Sequence, residues 1–193
     1  MTSRSFQRYF PAFFCFCLCL RSHDAHATDQ TWKQNREVMP AITAGQPDDG
    51  KQDAFHVLDG YQVEKLFDVP RDALGSWVSL TTDPQGRLYA CDQQEKGLVR
   101  ITPAALDAST ETVVEKVPAE LSGAQGLLWA FDSLYAVCNG GGFHGLFRLT
   151  DSDGDSLPDQ VEKLHDIAAG GEHGAHNILL APDGKKLFII CGN

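Results

Sequence analysis

The sequence has no apolar run of bilayer length, no C-x-x-C and few basic residues. Each shortage excludes something. The run from Phe10 to Leu20 is too short to cross a bilayer as a helix, so it does not read as a membrane span. Without C-x-x-C or C-x-x-C-H there is no zinc knuckle and no haem attachment site. Lys and Arg number 16 against 26 Asp and Glu, a formal net charge of −10. Such a surface repels phosphate backbones, and nucleic acid is not an expected partner.

What is present first is an export signal. Arg4 and Arg8 precede the apolar run, and Ala25-His26-Ala27 offers a small-x-small cleavage site, so residues 1–27 read as a signal peptide cut before Thr28. An uncleaved tether is the competing reading. A lipid anchor is disfavoured, because Cys15, Cys17 and Cys19 lack the small residues that such processing needs before the cysteine. The expected location is periplasmic or extracellular. Removing residues 1–27 leaves 13 basic against 25 acidic residues, a net charge of −12. Three cysteines remain, Cys91, Cys138 and Cys191, each at the end of an apolar run. An odd number suits a disulfide framework poorly, so they read as small buried hydrophobes.

Residues 28–54 are polar and rich in Gly and Pro without periodicity, and read as a linker. From about Phe55 short β-type runs alternate with turn signals, which argues for an all-β fold. Tyr61 to Val69 alternates and reads as a strand. Asp83-Pro84-Gln85-Gly86 reads as a tight turn with Pro at its second and Gly at its fourth position. The hairpin around that turn, Trp77 to Cys91, is echoed at Gln125 to Cys138 and Asn177 to Cys191. Aligning Leu88, Leu134 and Leu187 gives spacings of 46 and 53 residues. Further strands are expected at Gly97–Thr102, Thr112–Val117, Gly145–Thr150 and Val161–Ile167. Two hairpins per unit at this period indicate four-stranded propeller blades over a solenoid or a sandwich. Residues 55–193 hold about three such blades, fewer than a ring commonly needs, so the expectation is an incomplete propeller, part of a longer one.

Two segments carry chemistry. In Asp151-Ser-Asp153-Gly-Asp155-Ser-Leu157-Pro-Asp159-Gln-Val-Glu162, acidic residues at positions 1, 3, 5, 9 and 12 match the oxygen spacing of a calcium loop. The candidate metal ligands are therefore Asp151, Asp153, Asp155, Asp159 and Glu162, in a structural role. Ser156 stands where an EF-hand has glycine, and the flanks read as strands, which would let Glu162 point elsewhere. An acidic, solvated turn is the bland alternative. In Gly170-Gly-Glu172-His173-Gly-Ala-His176-Asn177, two histidines three apart precede the third hairpin. A neutral imidazole there could act as a base toward an alcohol or ligate a metal, though a loop pair of this kind is more often surface decoration than an active site. Gly140-Gly-Gly142-Phe-His-Gly145 satisfies G-x-G-x-x-G, but a β-type run follows instead of a helix, so it reads as a turn and not as a dinucleotide site. Trp77 and Trp129 read as packing residues.

The stretch from His173 to Asn193, with a histidine nine residues before the Pro of Pro182-Asp-Gly, resembles the core motif of glucose/sorbosone dehydrogenase-type quinoprotein propellers. Gly75-Ser-Trp-Val-Ser-Leu, Gln125-Gly-Leu-Leu, Asp132-Ser-Leu-Tyr, Gly145-Leu-Phe-Arg-Leu-Thr-Asp-Ser-Asp-Gly-Asp and Gly171-Glu-His-Gly are similar to a planctomycete-type subgroup of exported propeller proteins. The resemblance covers residues 55–193. It implies a dehydrogenase of sugar or other alcohol groups that uses pyrroloquinoline quinone, with His173 as the base and His176 and Asn177 as cofactor contacts. It also implies a c-type cytochrome domain as electron acceptor, with haem c held outside this sequence, and an inactive chain when that remainder is missing. The alternative is a non-catalytic propeller scaffold that binds a protein or polysaccharide in the cell envelope.

Overall fold

The computed structural model describes residues 42–43, 63–105, 110–167 and 174–192. Residues 1–27, read as a signal peptide, most of residues 28–54, read as a linker, and His173 lie outside the described residues. Within them the chain is antiparallel β-sheet with a single helical turn. No helix among the described residues is long and apolar enough to cross a membrane.

In chain order the elements are β1 (Ile42–Thr43), α1 (Arg71–Leu74), β2 (Trp77–Thr82), β3 (Leu88–Asp92), β4 (Leu98–Thr102) and β5 (Val113–Lys116). β6 (Ala124–Ala130), β7 (Ser133–Gly140), β8 (Phe143–Thr150), β9 (Gln160–His165), β10 (Ala175–Leu180) and β11 (Leu187–Cys191) follow. Three sheets result, in the orders β1-β5-β4-β3-β2, β6-β7-β8-β9 and β10-β11. Apart from β1, which lies in the stretch read as linker, each sheet is a meander of consecutive strands.

The three hairpins expected from the repeat are β2–β3, β6–β7 and β10–β11, and they agree residue by residue. Leu88, Leu134 and Leu187 pair with Thr82, Trp129 and Leu180 at the same point of each turn. Each first strand also breaks register once, at Val78, Gln125 and His176 respectively. In the first turn Gly86 N–H donates to the Asp83 carbonyl at 3.0 Å, and Gly86 adopts φ 79°, which a side chain would resist. The Asp83 carboxylate accepts from the N–H groups of Gln85 and Arg87 and from Arg87 Nε at 2.6 Å. In Gly140 to Gly145 the glycines form the β7–β8 turn and β8 follows, so the dinucleotide reading fails on geometry.

The sheets stack face to face with their first strands side by side, β6 lying between β2 and β10. Period-two alternation divides each strand between two interfaces. From β7, Leu134, Ala136 and Cys138 meet Tyr89, Cys91 and Leu98 of the first sheet. Tyr135 and Val137 turn the other way and meet Ile178, Leu187 and Ile189 of the third. The middle sheet is buried on both faces, which is why β7 is apolar along most of its length. Each fully buried leucine or valine stabilises by roughly 1.5–3 kcal/mol. Gly126 is where β6 and β10 come closest: a Cβ there would meet Asn177 Cα at 2.8 Å.

One expectation is corrected. Residues 63–69, the described part of the run Tyr61 to Val69, form no strand. Phe67 stacks on Trp77 at 6.0 Å, and Val69 and Leu74 pack with it against Ala90, Val99 and Ile101. This segment covers the face of the first sheet that would otherwise be bare, so its alternation records contact with a sheet and not membership of one. Trp129 stacks on Tyr89 at 5.6 Å, a packing role as expected. Cys91 and Cys138 are buried and unbridged, and Cys191 is free and half-buried. Burial pushes the Cys91 thiol up to about 12 and raises Cys138 as well, so both behave as hydrophobes.

Candidate functional site

The loop between β8 and β9 gathers the acidic residues. Asp151, Asp153 and Asp155 are exposed, and each offers an oxygen within 4.8 Å of the others. The loop holds itself in shape. Asp151 accepts from the N–H groups of Gly154 and Ser156 at 2.8 Å each, and Asp155 accepts from Leu157 N–H at 2.8 Å. Desolvation opposes ionisation of Asp151, but the N–H donors of Gly154, Ser156 and Asp153 outweigh it and hold the carboxyl below its ordinary value. Asp159 accepts from Ser152 N–H at 2.8 Å and Ser152 hydroxyl at 2.6 Å, closing the loop's neck. Glu162 belongs to β9 and pairs with Arg148 of β8 at 2.6 Å. The structure thus groups three of the five expected ligands, ties Asp159 to the neck, and sets Glu162 in a cross-strand ion pair. Ser156 has φ 69°, the conformation for which an EF-hand uses glycine.

This loop also joins two sheets. The Ser156 carbonyl accepts from Arg100 Nη1 at 2.8 Å and from the Tyr89 hydroxyl at 3.4 Å, both of the first sheet. Pro158 is fully buried, and its carbonyl accepts from Ala119 N–H at 3.2 Å. Arg100 is itself oriented by Glu115, at 2.8 Å. An ion on the three aspartates would stiffen a loop that bears on a neighbouring sheet. The donor set fits calcium, which takes six to eight hard oxygens, the remainder coming from carbonyls and water.

The described part of the histidine segment, Gly174 to Asn177, lies at the other end of the sheets. His176 is half-buried at the register break of β10, in the place that Val78 and Gln125 take in the other hairpins. Asn177 is exposed, and its side-chain oxygen accepts from Ile178 N–H at 2.8 Å. Gly174 N-terminal to them packs on the Asn139 side chain, and its carbonyl accepts from Gly192 N–H at 3.0 Å. β8 runs from the turn at this end to the acidic loop, and its eight residues span roughly 23 Å at about 3.3 Å per residue. A cation on the loop is therefore too far from His176 to take part in chemistry there.

At the same end Asp92, unforeseen in the sequence, is almost wholly buried. Its carboxylate accepts from Ser76 N–H at 2.6 Å and from Gln94 and Lys96 N–H at 3.0 Å each. Burial alone would raise its pKa, but the N–H groups of Lys96, Ser76, Gln94 and Glu95 win and lower it. Gly75 is required beside it, since a Cβ would overlap the carboxylate. Asp92 organises a turn.

Residues 174–180 carry no lysine or arginine. No protein-family model matches the chain, and no curated protein or solved structure matches it either.

Proposed function

We propose that the chain forms part of an exported β-propeller of the quinoprotein sugar- or alcohol-dehydrogenase kind, with calcium bound in a structural role. The observation that carries this reading is the threefold hairpin register, with the first strands side by side and their breaks at Val78, Gln125 and His176 at one end. Radial stacking of meanders around adjacent first strands is the blade arrangement of a propeller. It leaves His176 at the end where the first strands begin, and the acidic loop at the opposite end. In this reading His173 takes the hydroxyl proton of the substrate, His176 and Asn177 contact the cofactor, and a c-type cytochrome domain accepts the electrons. The quinone supplies the hydride acceptor when bound, and its cationic partners lie outside residues 174–180.

The test is dye reduction by the purified protein with pyrroloquinoline quinone, calcium and a series of aldoses and alcohols. Turnover should fall at least about 100-fold in His173→Ala, the ordinary contribution of a general base. Undiminished turnover in that variant would remove His173 from the mechanism. A second reading, a non-catalytic scaffold for a protein or polysaccharide in the envelope, is favoured by the commitment of Asp92 to backbone N–H groups. Quinone binding that is absent while calcium still binds would select it.

A further inference from the structure

Between the first two sheets lies a cleft that neither the acidic loop nor the histidine segment lines. It opens at the end where β4 begins and β7 turns into β8, and it holds about 410 Å³. Ordinary small-molecule sites hold roughly 300–1,000 Å³. Its inner wall is apolar: Leu98 and Leu121 are buried there, and the half-buried Phe143 packs against the same core. Phe147 meets the Phe143 ring edge-on at 5.9 Å and fixes its orientation. The backbone around the cleft is fixed as well. Val117 N–H donates to the Leu98 carbonyl at 3.0 Å, and Gly123 N–H donates to the Asp92 carbonyl at 3.1 Å. The site is formed before any ligand arrives.

One polar group inside the cleft is unused. Ser122 lines it and is only 6% exposed, yet its hydroxyl has no hydrogen-bond partner among the described residues. The equally buried Ser133 donates to the Phe131 carbonyl. A side chain on Gly141 would run into both the Ser122 hydroxyl and the Gln94 carbonyl, so these two oxygens converge on one point of the wall. Around the mouth stand two cations, Lys96 and Lys116, and two anions, Glu95 and Glu120, all exposed.

We propose that this cleft binds a sugar ring, with the ring's C–H face against Phe143 and its hydroxyls on Ser122 and the charged mouth. Each competing ligand class leaves something unmet. An apolar ligand would seal the Ser122 hydroxyl away from water without a partner, which costs free energy. An ion of either sign would meet two like charges at the mouth as well as two opposite ones. A sugar hydroxyl both donates and accepts, so it suits lysines that only donate, glutamates that only accept and a serine that does both. The cleft lies at the same end as His176 but between other sheets, so it serves as a subsite and not as the reacting centre. The link to catalysis rests on the dehydrogenase reading above, whereas binding at the cleft is measured without quinone.

The probes are glucose, galactose, mannose and their disaccharides, titrated into the purified full chain and read by amide chemical shifts. Saturable shifts are expected at Gly97, Ser122 and Gly141 with at least one of them. Lys116→Ala and Glu120→Ala, at exposed positions that leave the fold intact, should each weaken binding about tenfold, as loss of a hydrogen bond to a charged group does. Ser122→Ala should weaken it about threefold to tenfold. Lys185→Ala, in the turn of the third hairpin, should bind as the parent does. No shift at the cleft with any of these sugars would overturn the proposal. So would shifts caused by phosphate or gluconate in place of neutral sugars, or sugar shifts that the Lys116, Glu120 and Ser122 variants leave unchanged. Sugar binding without dye reduction would uphold the cleft and remove the dehydrogenase reading alone.

Discussion

Two residues affect stability for identifiable reasons, one against it and one for it. Ser156 sits at φ 69° in the acidic loop, where a side chain costs about 1–2 kcal/mol. Ser156→Gly should raise the unfolding free energy by about 1 kcal/mol, allowing for glycine's greater freedom when unfolded, as urea titration would read. An unchanged or lowered midpoint would mean that the Ser156 side chain offsets the strain. Asp92 is the other case. Its folded pKa lies below the ordinary value of 3.8, so its contribution is complete above about pH 4 and is lost as pH falls through the folded value. Asp92→Asn should therefore flatten the acid limb of the stability–pH curve, and Asp92→Ala should lose about 3 kcal/mol at neutral pH by stranding buried N–H groups. An acid limb as steep in Asp92→Asn as in the parent would contradict this. Neither role was legible in the sequence. An aspartate after a strand looks like any turn aspartate until the chain brings Ser76, Gln94 and Lys96 around it.

Among the elements, the hairpins were the most legible, because two constraints coincide in them. A tight turn demands Pro and Gly at set positions, and double-sided burial demands an unbroken apolar run. The outer strands were legible as existence but not as contact. Gly97-Leu-Val-Arg-Ile-Thr102 and Gly145-Leu-Phe-Arg-Leu-Thr150 are the same motif, and in the first of them the arginine, Arg100, is the latch to the next sheet. That signal lay in the sequence, but nothing local tells an arginine on a strand where its partner carbonyl will be. The segment 63–69 misled for the opposite reason, since packing on a sheet imposes the same alternation as joining one. At the β6–β10 contact the prediction is direct. Gly126→Ala places a methyl against the Asn177 backbone and Val137, and should cost about 1–3 kcal/mol. Hydrogen exchange should show β10 and β11 loosened before the first two sheets. Uniform loosening, or none, would mean that the third hairpin is not held by this approach.

At the scale of the whole molecule, function rests on how the sheets are held to one another. The sequence marked the acidic loop as a calcium loop but gave no hint that it bridges two sheets. That depends on Tyr89, Arg100 and Ala119 arriving beneath it from earlier in the chain. The loop and His176 are separated by the length of β8, so calcium should act on stability and not on chemistry at His176. Thermal unfolding of the full chain with and without calcium tests this most directly. At a hundredfold excess over its dissociation constant, calcium should stabilise by about 2.7 kcal/mol and raise the midpoint by roughly 5–10 °C. Asp153→Ala should abolish the shift, and Arg100→Ala should still bind calcium by calorimetry but transmit less of the shift to the first sheet. A midpoint that calcium does not move, with no heat of binding, would contradict neighbouring sheets clamped by calcium through this loop.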